Sequence, residues 1–138
     1  MRLTFDRGQF AEELKQARAG KLQMMMLSNT AGAPDAEDQL NIAYGPARGE
    51  ANYSNFDLPA YNAVYARLTQ LPDGPERDGL VAQAQKLVAA YMPVKAQVHR
   101  IRAILTQPWL DGFDGNPFVH GFWRYVDIDA ARRPPTGR

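Results

Sequence analysis

The sequence predicts an α/β fold with mixed strands. Three observations predict it: a strand, helix, strand pattern at the start, amphipathic helical stretches in the middle, and alternating apolar residues towards the end. Met1 to Phe5 alternates apolar and polar residues as a short strand does, and it stops at Asp6, a good helix N-cap. Phe10, Leu14 and Ala17 then recur at helical spacing over about Gln9 to Ala19, with Gly20 as the stop. Leu22 to Leu27 is mostly apolar, too short for a helix and bounded by Gly20 and Asn29, so it reads as a buried strand. These pieces form a βαβ unit, whose two strands pair in parallel through a right-handed crossover.

A loop of polar and small residues follows from Ser28 to Pro34. Asp35, Glu37 and Asp38 mark a helix start, where acids suit the positive end of the helix dipole. Leu40, Ala43 and Tyr44 supply its apolar face before Gly45-Pro46 ends it, and Ala47 to Phe56 is loop-like. Asp57 is the expected cap of another helix, with Pro59 in its first turn and Tyr61, Val64, Tyr65 and Leu68 on one face. After a turn from Leu71 to Pro75, the longest helical pattern carries Leu80, Val81, Ala84, Leu87, Val88 and Tyr91, until Pro93 stops it. Val94, Ala96 and Val98 alternate as a strand, and Ile101, Ala103 and Leu105 alternate in the opposite phase. The slip at His99-Arg100 predicts a bulge or a change of exposed face. Trp109 to Asn116 is a Gly-rich turn region, and Phe118 to Ile128 is the last expected strand.

Composition narrows the function. The 138 residues fit one domain, and sixteen basic against fifteen acidic residues leave no field that would draw nucleic acid or an anionic membrane. No apolar run approaches the roughly 20 residues of a membrane span. The start carries no apolar signal core, so the signal of an exported parent protein is expected to be removed or to lie upstream. Residues 132–138, rich in arginine and proline, read as a flexible tail. Without cysteine there are no disulfides, no thiol chemistry and no thiolate metal site.

The expected site residues are few. His99 and His120 lack any metal-ligand spacing, and Asp111 to Asn116 does not follow a calcium-loop pattern, so no metal and no cofactor is expected. Ser28, Ser54 and the threonines lack a nucleophile-elbow context. Met24, Met25 and Met26 read as a buried strand rather than a flexible ligand wall, and Asp35, Glu37 and Asp38 as a solvated helix start rather than a cation site. Ser28, Asn29 and Thr30 leave the carboxyl end of an expected buried parallel strand, the place where open α/β sheets hold ligands.

Five stretches stand in order along the chain, Glu12 to Met24, Pro34 to Pro46, Ala51 to Tyr65, Leu71 to Pro93 and Phe122 to Asp129, and together they resemble extracellular solute-binding proteins of family 5, the peptide, opine and nickel-binding group of ABC importers. The stretch from Glu12 to Met24 resembles that family's entry into its later lobe. "PDAEDQLNIAYGP" at Pro34 to Pro46, "ANYSNFDLPAYNAVY" at Ala51 to Tyr65 and "LPDGPERDGLVAQAQKLVAAYMP" at Leu71 to Pro93 resemble its succeeding motifs. "FWRYVDID" at Phe122 to Asp129 resembles the closing strand of one branch.

The resemblance implies a fragment of the second lobe of a periplasmic binding protein over residues 1–131, with the first lobe absent. It implies non-enzymatic capture of a peptide or similar solute, delivery to ABC permease subunits and a periplasmic location. By the same resemblance Ser28, Asn29, Thr30, Gly32 and Asn52 face the ligand cleft. Asn29 stands where the family often has Trp, Gly32 where it often has Asp, and Gln23 where Asp is usual, so recognition of a peptide's ammonium group is not carried over. Two rival readings stay open: an α/β enzyme using His99 with Asp127 or Asp129, and a structural or oligomerisation module. A lobe cut from its surroundings is also expected to self-associate through apolar surface near Met1 to Phe5 and Phe122 to Ile128.

Overall fold

Helix α1 (Phe10–Arg18) opens the regular structure of a computed structural model that describes residues 2–99, 101, 103–115, 118 and 121–133. Its start is set by the main-chain carbonyl of Gln9, which accepts from the Glu12 and Glu13 amides, and not by Asp6. Glu12 and Glu13 in the first turn and Lys15 and Arg18 in the last complement the helix dipole. Gly20 ends the segment at φ +66°, its amide bonded to the Ala17 carbonyl. Of the expected apolar face only Ala17 is buried; Leu14 is half-buried and Phe10 is exposed.

Helix α2 (Ala36–Leu40) begins at Asp35, whose side chain accepts from the Glu37 amide at 2.8 Å. Two tight turns, Asn41–Ala43 and Gly45–Ala47, carry the chain on. Gly45 is buried against Asp57 and Asn62, and a Cβ there would come 2.2 Å from the Asp57 carboxylate, so a larger residue would have to displace that side chain from its partners. Helix α3 (Pro59–Leu68) starts from Leu58 with Pro59 in its first turn. Asp57 does not cap it, because its carboxylate accepts from Asn62 at 2.7 Å and pairs with Arg48 at 3.4 Å. Helix α4 (Pro75–Tyr91) is the longest, and Met92 closes it in the left-handed region at φ +49° immediately before Pro93.

The core of this first unit, Met1–Ala96, is where α2, α3 and α4 meet. Leu40, Ala43, Tyr61, Val64, Tyr65, Leu68 and Ala84 are buried, with Leu80, Val81, Leu87 and Val88 packed against them from α4. All four residues expected on the inner face of α3 are inside, as the helical spacing requires. Aromatic rings fill much of the volume. Tyr44 lies 4.5 Å from Tyr65, Tyr61 stacks on Tyr65 at 6.4 Å, and Phe56 meets Tyr61 edge-on at 5.9 Å. The Tyr61 hydroxyl donates to the Leu40 carbonyl at 2.6 Å, which satisfies an orphan carbonyl at the end of α2.

The expected βαβ unit does not form. Residues 2–5 and 22–27 lie outside any helix or ladder, with Phe5 86%, Met24 73% and Met26 86% exposed. Only one small residue of α1 is buried, so the helix offers no apolar stripe on which a pair of strands could pack. The strand expected at 94–98 is likewise unpaired, with Val98 86% exposed.

The second unit, Gln97–Arg138, holds a two-stranded antiparallel ladder of β1 (Leu110–Asp111) and β2 (Asp127–Ile128). The described residues of 101–105 join no ladder, and Ile101 and Leu105 are almost wholly exposed. Strand β1 thus falls inside the region expected to be a turn, and among the described residues of the expected last strand only β2 pairs, behind a tight turn at Phe122–Arg124. Gly112, at φ +73°, passes so close to Tyr125 that a Cβ would come 2.0 Å from its carbonyl oxygen. Arg132 is tied by two ion pairs, to Asp111 and Asp129, rather than free in a tail; residues 134–138 lie outside the described residues. Near the expected sticky end, Trp123, Tyr125 and Ile128 are exposed. The whole is a mixed helix and strand structure dominated by helix.

A core this small leaves little margin. Leu68 is fully buried between α3 and α4, and Leu68→Ala is expected to lower unfolding free energy by about 3 kcal/mol, read from urea denaturation followed by far-ultraviolet circular dichroism.

Candidate functional site

Arg77 organises a polar region held between the helices of the first unit. It stands in the first turn of α4 with its side chain only 10% exposed. Nη2 donates to both carboxylate oxygens of Asp35, at 2.8 and 2.9 Å, and to Glu37 at 3.2 Å. Nη1 reaches Asp73 at 3.2 Å, and Nε donates to the Leu68 carbonyl at 3.3 Å. One guanidinium therefore joins the start of α2, the end of α3 and the turn before α4. Its bond to Asp35, helped by the Glu37 amide, holds the Asp35 carboxyl below the usual carboxylate range.

Beside this knot is an open depression of about 290 Å³ lined by Ala33, Asp35, Glu37, Asp38, Asn41 and Tyr65. Tyr65 is buried, and its hydroxyl donates weakly to the Glu37 carbonyl at 3.5 Å. Burial, followed by the nearby charges of Glu37 and Asp38, pushes its ionisation up to about 12. Asp38 reaches back to accept the Gly32 amide at 2.7 Å, which closes the loop onto α2. The rim thus offers carboxylate and amide groups around an aromatic ring, a surface suited to binding through hydrogen bonds.

The structure places the expected ligand residues in two different settings. Ser28, Asn29 and Thr30 are exposed, with the Thr30 amide bonded to the Asn29 side chain at 2.9 Å, and Gly32 is exposed next to the depression. They do not leave a sheet edge, because residues 22–27 form no strand; their position comes from the Asp38 and Asp35 contacts instead. Asn52 is fully buried, its amide donating to the Tyr44 and Phe56 carbonyls at 3.0 and 2.8 Å and its oxygen accepting from Ser54 at 2.8 Å. Every polar atom of that side chain is engaged in holding the loop at 47–56, and it does not join the depression.

The acids read as a solvated helix start are engaged as well, Asp35 and Glu37 by Arg77 and Asp38 by Gly32. Among the described residues no three His, Cys, Asp or Glu side chains converge as metal ligands. His99 is exposed, while Asp127 accepts from the Ile128 amide and Asp129 pairs with Arg132, so both carboxylates of the rival enzyme reading have other partners. His120 lies outside the described residues. Sequence reasoning missed Arg77 and Tyr65 as site residues. The signal for Arg77 was present: it shares the helical face of Val81, Ala84 and Val88, where a charge demands a buried partner.

Comparison with protein-family models, curated proteins and solved structures gives no match.

Two measurements check this account. Asn52→Ala leaves two part-buried carbonyls without their donor and is expected to cost about 1–2 kcal/mol in urea denaturation, a loss that a solvent-facing ligand contact would not produce. The second concerns acid. Asp35 holds its proton less tightly folded than unfolded, where a carboxyl titrates at about 3.9. Its contribution to stability is therefore whole above the unfolded value and is lost as pH falls through the folded one. Urea midpoints taken from neutral pH to about pH 3 are expected to fall less steeply for Asp35→Asn than for the unaltered chain.

Proposed function

We propose that the chain is part of the second lobe of an extracellular solute-binding protein. In that role it captures a peptide or similar solute by hydrogen bonding and apolar contact, delivers it to an ABC permease, and performs no reaction on it. The observation that supports this reading is the division between what packs and what does not. Pro34 to Pro46, Ala51 to Tyr65 and Leu71 to Pro93, the segments with the fullest resemblance to the family, make one packed helical core. The apolar run at 22–27, the alternating segment at 94–98 and the described residues of 101–105 stay outside any ladder, with exposed Met26, Val98, Ile101 and Leu105.

Apolar segments with strand periodicity need partners, and exposed they are a liability that natural chains avoid. In this reading their partners are strands of the parent protein's sheets, which include the other lobe. The loop at 28–32 and the adjoining depression then belong to the face that meets the solute, and the periplasm is the place of action.

An antiserum against the chain, applied to fractionated cells, tests this directly. It is expected to detect a periplasmic product well above the chain's 15.4 kDa. Mass spectrometry of the immunoprecipitated product is expected to find a retained peptide or similar small solute. A cytosolic product that retains none would overturn the proposal.

A further inference from the structure

We infer that Arg77 is the positioning residue of the 28–32 loop: it does not touch the solute but fixes where the loop stands. The inference rests on reading that loop as the solute-contacting segment. Its physical basis is a chain of fixed contacts. Helix α2 has five residues, too few to be stable by itself, so its direction must be imposed from outside. Leu40 anchors one end in the core and Arg77 holds the other through Asp35 and Glu37. Asp38, between those ends, takes the Gly32 amide. The loop is therefore joined to α4 through two side chains, Asp38 and Asp35, with α2 as the link.

The geometry explains why an arginine is required. Nη2 alone reaches both carboxylates while Nη1 holds Asp73 and Nε braces the plane against the Leu68 carbonyl, so three nitrogens of one rigid group are used at once. A lysine ammonium is a point charge that lacks this brace. With the fork gone, Asp35 and Glu37 face each other as like charges within one turn, and the start of α2 shifts, carrying Asp38 and Gly32 with it. The Arg67–Glu76 pair is a natural contrast. It joins α3 to α4 with both side chains more than half exposed and contacts nothing that leads to the loop.

The experiment is amide exchange and chemical-shift mapping by nuclear magnetic resonance on the ¹⁵N-labelled chain with no solute present. It therefore reads positioning even if the solute reading fails. Arg77→Lys is expected to speed exchange at Gly32 by roughly tenfold and to shift the Asn29 to Gly32 amides, while Val64 and Leu68 in α3 change by less than about threefold. Asp35→Asn, which keeps a cap at α2, is expected to reproduce that local pattern, and Arg67→Met to leave the loop unchanged. Two results would overturn the inference. One is a Gly32 amide that is indifferent to both Arg77→Lys and Asp35→Asn. The other is a change at Gly32 matched throughout α3, which would make Arg77 a general stabiliser and nothing more.

Discussion

A nearly buried guanidinium has to find acceptors, and Arg77 finds them on three separate segments. That requirement shapes the first unit. Removing a charge from water costs several kcal/mol unless it is paired and fully hydrogen-bonded, so the side chains that surround it lose their freedom. Asp35 is turned inward, and it stays ionised because of the same contact. The short helix that Asp35 caps is thereby fixed against α4, and the loop before it inherits that placement.

The apolar part of the unit works with this polar knot rather than apart from it. Tyr61 buries its ring among α2, α3 and α4 and uses its hydroxyl to hold the last carbonyl of α2, so the five-residue helix has one tether at each end. Tyr44, Tyr61 and Tyr65 bring large area to the core beside its leucines and valines. Asn52 does for the loop at 47–56 what Arg77 does for α2: each carries several bonds to main chain or carboxylate from one anchored side chain.

The helices were legible because their signals are local. Tyr61, Val64, Tyr65 and Leu68 repeat at helical spacing, Pro59 and Pro75 sit in first turns, and Pro93 forbids continuation. The caps were harder. Asp6 and Asp57 have the right chemistry, yet α1 starts from Gln9 and α3 from Leu58, because nothing in a residue's identity says whether its carboxylate has a better partner elsewhere. The strands failed for a deeper reason: the apolar run at 22–27 and the alternation at 94–98 and 101–105 state a preference, while a strand exists only where a partner backbone meets it. Of the site, the loop at 28–32 was readable as exposed and polar. Its tether was not, because the decisive contact, Asp35 to Arg77, joins residues 42 apart in the chain.

The bare thioethers of Met24 and Met26 have a chemical consequence. Peroxide converts an accessible methionine to its sulfoxide, exchanging a soft apolar group for a polar, chiral one. Both side chains are largely exposed and so open to that attack. Covered by a neighbouring sheet, they would be shielded from it, and once oxidised they would resist being covered at all. The oxidation state of these two residues in protein taken from cells is thus a record of whether this stretch was sheltered during its lifetime.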